Sequence, residues 1–338
     1  MPVKSSPVML SGIQPSGNLC IGNYIGALKN WVSLQDTHDS VFLVVDMHAL
    51  TVKQEPSKLR QRCFSYVAQY IACGIDPEKS TIVIQSHVPQ HAELMWILNT
   101  LTYMGELNRM TQFKDKSKKH SANINAGLFT YPVLMASDIL IYQASLVPVG
   151  GDQKQHLELA RDLAIRFNTQ YSETFVVPKP YIPKSGARIM SLQNPEKKMS
   201  KSDNNLNNLI ALLDSPEVIR KKIKRAVTDS DSEISYDHSR PGISNLINMY
   251  SIITNTSHKE VEKEFKGKMY SDFKVELGNL IVKFLEPVQN KYSEIINDKS
   301  YLESVLSKGA ENAYYRARNT LSKVYRKVGF IPNKTGLK

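Results

Sequence analysis

The segment that most constrains this chain is Val41-Phe42-Leu43-Val44-Val45, five apolar residues in succession that stop at Asp46. A run so rich in β-branched side chains, with no polar residue alternating, suits a strand covered on both faces, as in a parallel sheet flanked by helices. Its surroundings fit that reading. Val8-Met9-Leu10 is a short apolar strand followed by a Gly/Pro/Ser loop, and a helical stretch runs from about Gly22 to Leu34. Residues 57–73 carry Leu59, Cys63, Val67, Tyr70 and Ile71 at helical spacing, with Gly74 at the C′ position, and Thr81-Ile82-Val83-Ile84 is a third strand. A βαβαβ order within the first 85 residues is one half of a doubly wound α/β fold, with right-handed crossovers and its ligand at the carboxyl ends of the strands. The loops after residues 10, 45 and 149 should therefore face the ligand.

The rest of the chain changes character. With 338 residues it exceeds the ~250–300 at which single cores stop growing, so two domains are expected. After residues 197–203 an Asn-rich stretch leads into helical sequence without a further strand. Ser215-Pro216-Glu217 reads as a helix start, a basic run Arg220 to Arg225 follows, and residues 270–296 and 300–327 are helical by period. The net charge of +11 is uneven: residues 1–196 hold 18 Lys and Arg against 15 Asp and Glu, and residues 197–338 hold 25 against 17. The second part carries the field, which suits a polyanion such as RNA or merely solvates helix faces.

Several classes are disfavoured. No apolar run approaches the ~18 residues of a membrane span, and the first 17 residues have one lysine and no apolar core of a signal peptide, so a cytoplasmic location is expected. Cys20, Cys63 and Cys73 have no C-x-x-C spacing and imply neither a disulfide framework nor a structural zinc. No metal site is predicted.

Two loops carry candidate chemistry. Ser11 to Gly26 lies between the first strand and helix, where helix-terminal N–H groups favour phosphate. Gly22 lets the backbone approach a nucleotide ring, and Gln14 and Asn23 place hydrogen-bonding groups beside it. This loop is neither G-x-G-x-x-G nor a Walker loop, so by itself it also reads as a plain βα turn. The second loop, Lys197-Lys198-Met199-Ser200-Lys201-Ser202-Asp203, sits at the expected domain junction. Two ammonium groups three residues apart on a mobile loop can close over a triphosphate and neutralise charge on departing pyrophosphate. Taken alone, it reads first as a solvated lysine run.

Lys198 to Ser202 resembles, at all five positions, the K-M-S-K-S motif of class I aminoacyl-tRNA synthetases. Pro15 to Asn23 looks like their H-I-G-H motif in its divergent I-G-N form. Blocks beginning at Gly12, Gly22, Gly105, Val147 and Gly186 look, in order, like bacterial-type tryptophanyl-tRNA synthetases across nearly the whole chain. The resemblance implies an ATP site lined by Gln14, Pro15, Ser16, Gly22, Asn23, Gly150, Gly151, Asp152 and Ile189, with Lys198, Met199, Ser200, Lys201 and Ser202 over the phosphates. Lys198, Lys201 and Gln14 would be catalytic. It places tryptophan against Asp138, on a helix expected to start near Tyr131, with Asp138 accepting the indole N–H. Met135 and Val149 would meet the ring, Tyr131 and Gln153 would lie near the α-amino group, and His48 would face the same pocket. Asp152 to Gln155 also has the spacing of a helix capping box.

The implied architecture is a Rossmann-type doubly wound parallel sheet with a mostly helical C-terminal domain. Residues 1–196 would bind ATP and tryptophan and hold an inserted helical dimer segment. Residues 197–338 would carry the Lys198–Ser202 loop and the anticodon-recognition helices, the last packing back on the catalytic domain. The implied partners are L-tryptophan, ATP with Mg2+, tRNA(Trp) and a second copy in a homodimer, with no membrane. Three positions depart from the family pattern: Cys20 for Thr, Met47 for Gln, and Gly151 for an acidic residue. A tyrosyl-tRNA synthetase shares the loops, but Gly12 to Gly17 and Ile21-Gly22-Asn23 argue against it. A non-catalytic RNA-binding paralogue would not need both loops intact.

Overall fold

The computed structural model describes residues 6–114, 124–181, 188–231 and 233–331, without the Asp152 side chain. Strands β1 (Val8–Ile13), β2 (Asp39–Val44) and β3 (Ser80–Ile84) pair in parallel, and β4 (Leu146–Pro148) and β5 (Lys179–Tyr181) extend the sheet on the other side of β1. The strand order β3-β2-β1-β4-β5 is that of a doubly wound sheet, and the order reverses beside β1, where ligands of such folds bind. The apolar run does what its composition requires. Phe42 and Val44 enter one core with Trp31, Val67 and Tyr70, while Val41 and Leu43 enter a second with Leu94, Ile97 and Val133. Trp31 stacks on Phe42 with ring centroids 5.2 Å apart.

The expected first helix is present in three parts, α1 (Ile21–Asn23), a π-helical turn Tyr24–Leu28, and α2 (Lys29–Leu34). After α3 (Asp46–Ala49), helix α4 (Pro56–Ala72) ends at Gly74, whose φ of 105° gives the left-handed exit expected of a C′ glycine. Helices α5 (Gln90–Thr100) and α6 (Met104–Asn108) follow β3. Helix α7 (Ala126–Ile141) starts five residues before the expected Tyr131. The reason is local: Asn125 Oδ1 accepts from Leu128 N–H at 2.9 Å and caps the true start, while Pro132, which reads as a first-turn residue, lies inside the helix and supplies no N–H to its ladder. Helix α8 (Lys154–Gln170) precedes β5.

Beyond the sheet come α9 (Pro216–Lys224), α10 (Pro241–Thr254), α11 (His258–Glu264), α12 (Tyr270–Asn297) and α13 (Lys299–Val328). Ser215 caps α9, with Pro216 in its first turn. Helix α13 packs against edge strand β3 and against α5 and α7, and its Ala313, Ala317 and Leu321 join the second core. That covers the edge's unpaired groups. Gly309 makes the approach possible, because a β carbon there would lie 1.9 Å from the Ile82 carbonyl oxygen.

Candidate active site

The two loops singled out in the sequence are built onto one another. Leu19 to Ile21 pairs with Ile210 to Leu212 through Ile21 N to Ile210 O at 2.9 Å and Leu212 N to Leu19 O at 2.8 Å. Ile189 and Met199, both buried, are joined by Met199 N to Ile189 O at 3.0 Å, and Ser191 N donates to Lys197 O at 2.8 Å. Lys198, Ser200 and Ser202 are left exposed. Lys201 turns inward. Its Nζ donates to the main-chain carbonyl of Gln14, to Ser16 O at 3.0 Å and Ser16 Oγ at 3.2 Å, and meets the Tyr66 hydroxyl at 3.3 Å.

Burial lowers the Lys201 pKa to about 7, since the charged ammonium loses water that the loop oxygens replace only in part. Tyr66, on α4, is the strut beneath: its hydroxyl donates to Ser16 O at 2.8 Å, and its ring centroid lies 5.2 Å from the Lys201 ammonium. Burial likewise raises the pKa of Cys20. Asn23, which the resemblance puts at the nucleotide, uses Oδ1 to accept from Cys20 N and Cys20 Sγ, both at 3.1 Å, and so caps the start of α1.

Gln14 links this cluster to the next, its Nε2 donating to His48 O at 3.4 Å. His48 Nε2 lies 2.9 Å from Asp138 Oδ2, and its ring lies 6.1 Å from that of Tyr131. Asp138 is 3% exposed. Its Oδ1 is 2.6 Å from His91 Nδ1 and accepts from Gln85 Nε2 at 2.7 Å. Burial alone would raise this carboxyl, but hydrogen bonds from His48 and His91, with the charge those rings carry when protonated, outweigh it and hold the pKa at about 2, so Asp138 is an ionised acceptor at neutral pH.

A further chain runs from Tyr131, whose hydroxyl is 2.9 Å from His156 Nε2, to Gln153, whose Oε1 is 2.9 Å from His156 Nδ1. Met135 and Val149 are half-buried against the second core. Gly150 and Gly151 precede α8 in a short 3-10 turn, and a β carbon on Gly151 would meet nothing within 4 Å. The Asp152 side chain, Gly186 and Ala187 lie outside the described residues.

Of the capping-box spacing from Asp152 to Gln155, the Asp152 side chain lies outside the described residues, and the Gln155 side chain reaches to a neighbouring segment. Its Oε1 accepts from Thr111 N at 3.0 Å and Thr111 Oγ1 at 3.1 Å, and its Nε2 donates to Arg109 O at 3.2 Å. The 3-10 turn Gly151–Gln153 runs directly into α8, which starts at Lys154.

The structure thus brings Lys201, Ser16, Gln14, His48, Asp138, Tyr131 and Gln153 into one connected set. Sequence reasoning missed Tyr66, Gln85, His91 and His156 as members, and with them Tyr142, whose hydroxyl lies 2.8 Å from His91 Nε2. Tyr66 stands beside the periodic positions Cys63, Val67 and Tyr70 of α4 with no motif to mark it, and the signal for His156 was its place in the block after Val147.

With a strand-loop-helix unit at the sheet's reversal point, clasped by the lysine loop of residues 197–203, the chain is an enzyme of the class I aminoacyl-tRNA synthetase type. The chain matches the family model of tRNA synthetases class I (W and Y) over residues 3–286. It is 57% identical over 329 residues to a tryptophan–tRNA ligase of Clostridium acetobutylicum, covering 97% of this chain and 98% of that one. Among solved structures it is similar to tryptophanyl-tRNA synthetase from Mycoplasma pneumoniae, with a TM-score of 0.87 at 36% identity, covering 98% of this chain and 100% of that one. The Campylobacter jejuni enzyme complexed with ADP and tryptophan gives a TM-score of 0.84 at 36% identity, over 96% and 100% of the two chains. The chain belongs to the tryptophanyl-tRNA synthetases of bacterial type.

Proposed function

We infer that this protein is a tryptophan–tRNA ligase: it uses ATP to activate L-tryptophan as the adenylate and then esterifies tRNA(Trp). The observation that carries the site-level reading is the unbroken chain of contacts from Lys201 through Gln14 and His48 to Asp138, which sets a cation for phosphate beside an acceptor for an indole N–H.

In the first step a tryptophan carboxylate oxygen attacks the α-phosphorus of Mg·ATP, forming the mixed anhydride as the bond to pyrophosphate breaks. In the second, the 2′-hydroxyl of the terminal adenosine attacks the anhydride carbonyl and AMP leaves. No protein nucleophile is required. Acceleration then comes from alignment and from charge neutralisation by Lys198 and Lys201, with Gln14, Pro15, Ser16, Gly22, Asn23, Gly150, Gly151, Asp152 and Ile189 around the nucleotide. Mg2+ would arrive with ATP, with the phosphates and water as its main ligands; among the described residues no group of three or more His, Cys, Asp or Glu is placed to hold a metal. Asp138 takes the indole N–H, Met135 and Val149 the ring, and Tyr131 and Gln153 the α-amino end.

In this reading residues 1–196 form the catalytic domain, and residues 197–338 supply the lysine loop and the helices that meet the anticodon, helped by their excess of 25 basic over 17 acidic residues. The protein works as a symmetric homodimer in the cytoplasm, one subunit's helical domain holding the tRNA whose acceptor end enters the other. Trp96, Tyr103 and Met104, 69%, 65% and 66% exposed on and beside α5 and α6, offer the apolar surface for that contact. Among the described residues no helix is long and apolar enough to cross a membrane.

Amino-acid-dependent pyrophosphate exchange is the test: exchange with tryptophan and not with tyrosine is expected. Exchange with tyrosine alone would make the chain a tyrosyl enzyme, and exchange with neither would leave a non-catalytic paralogue.

A further inference from the structure

Asp138 is the middle of a buried polar chain whose far end the proposed chemistry does not use. A carboxylate oxygen has two good acceptor directions. Oδ1 has both filled, by His91 Nδ1 at 2.6 Å and Gln85 Nε2 at 2.7 Å, and Oδ2 has one filled, by His48 Nε2 at 2.9 Å. His91 and Gln85 are completely buried. Both are anchored elsewhere: the Gln85 Oε1 accepts from Met47 N at 3.1 Å, and the His91 carbonyl accepts from Ser137 Oγ at 2.7 Å.

The other ring nitrogen of His91, Nε2, lies 2.8 Å from the Tyr142 hydroxyl. Tyr142 is 2% exposed, and burial together with the Asp138 charge pushes its pKa far above the ordinary value. Its hydroxyl therefore keeps its proton and needs an acceptor. Among the described residues His91 Nε2 is the hydrogen-bond partner it has, so Nε2 accepts and the ring proton resides on Nδ1, aimed at Asp138.

We propose that His91 is a positioning residue for amino-acid selection: held by Tyr142 as a neutral, Nδ1-protonated ring, it joins Gln85 in filling Oδ1 of Asp138, so that the one remaining acceptor direction, on Oδ2, is left for the indole N–H. The inference rests on Asp138 being the indole acceptor. A charged His91 would cancel the carboxylate's negative charge. A neutral donor leaves that charge for the substrate, where a charge-assisted bond discriminates between a ligand with an N–H and one without.

The test compares kcat/KM in pyrophosphate exchange for tryptophan and for its benzothiophene analogue, in which sulfur replaces the indole nitrogen. In His91→Gln and Tyr142→Phe the preference for tryptophan should fall, by about tenfold in the former, through a higher KM for tryptophan, as expected for losing one hydrogen bond that orients a charged acceptor. A role in folding alone would depress both substrates equally and leave the ratio at its native value, overturning the proposal. Asp138→Asn separates the two levels: collapse of the ratio there with a native ratio in His91→Gln overturns the role of His91 alone, and a native ratio in both overturns the indole-acceptor reading as well. If His91→Gln does not fold, the ring state is still readable in the unaltered protein. Two-bond proton–nitrogen spectra of the histidine-labelled enzyme should show His91 neutral and protonated on Nδ1, and an imidazolium or an Nε2–H ring would overturn the proposal.

Discussion

The β carbon that Gly17 lacks would stand 1.9 Å from the carbonyl oxygen of Lys201, and Gly17 itself has a φ of 65°. Residue 17 is thus the seat on which the lysine loop rests. Gly17→Ala meets two penalties: a left-handed backbone costing about 1–2 kcal/mol, and a clash with main chain that only separation of the loops relieves. We expect adenylate formation to drop by at least tenfold, with the melting temperature lowered by a few degrees. Pyrophosphate exchange and thermal unfolding check this, and native exchange would show that the two loops need not touch.

Lys201 gives a second outcome, with a kinetic and a pH arm. Lys201→Ala should slow adenylate formation by about 10²–10³, the usual cost of losing one group that stabilises transition-state charge, with little change in tryptophan affinity. Equal losses in pre-steady-state rate and affinity would make its role one of ground-state binding. The pH arm follows from a folded pKa of about 7 against an ordinary 10.5. Between those values the unfolded chain holds a proton that the folded chain has shed, so this group makes stability rise with pH across that window and costs most below it. Lys201→Met removes that slope, and denaturant titrations at the two ends of the window should show it; parallel pH profiles would mean that Lys201 stays fully charged.

Gly309→Ala addresses the fold rather than the site. The added methyl would press on the Ile82 carbonyl at 1.9 Å, and since the obstacle is backbone, α13 must lift from the edge of β3. A loss at or above the usual ~1–3 kcal/mol of overpacking is expected, read as a lower denaturation midpoint, with tryptophan KM unchanged in the folded fraction. An unchanged midpoint would mean that the last helix contributes little to covering that edge.

How much of this was legible beforehand depends on how local each signal is. The strands β1 to β3 and helices α4, α12 and α13 announce themselves because burial imposes a period on many residues. Strand β5 did not, for Lys179-Pro180-Tyr181 has three residues and a proline, tolerable at an edge and invisible as a pattern. The start of α7 was misplaced because Pro132 mimics a first-turn proline, although Asn125 was there to be read. The lysine loop and Gln14 could be found from spacing and resemblance. His91 and Gln85 could not, because they reach Asp138 across 47 and 53 residues of chain, His91 from α5 and Gln85 from the turn that follows β3, through packing on α7 that no local pattern encodes.

Asp138 itself supplies the sharpest prediction. Asp138→Ala is a poor probe, because it strands three buried donors, His48, His91 and Gln85, each costing about 1–3 kcal/mol when left unpaired, and instability would mask the loss of recognition. Asp138→Asn keeps one oxygen. The two donors that converge on Oδ1, at 2.6 Å and 2.7 Å, require that oxygen to face them, so the new amide NH2 must occupy the place of Oδ2. There it can donate to His48 if that ring changes tautomer, but it cannot accept the indole N–H. The variant therefore turns the substrate's acceptor into a donor at nearly constant volume. Tryptophan should lose the charge-assisted bond, about 1.5–3 kcal/mol or roughly 10- to 150-fold in kcat/KM, while the sulfur analogue, which never made it, should lose far less. Tyrosine should remain a poor substrate, since the slot proposed at Met135 and Val149 would exclude it independently of the hydrogen bond. An Asp138→Asn enzyme that still prefers tryptophan to the analogue by the native factor would mean that the indole nitrogen lies elsewhere, with His48 next to be tested as its partner.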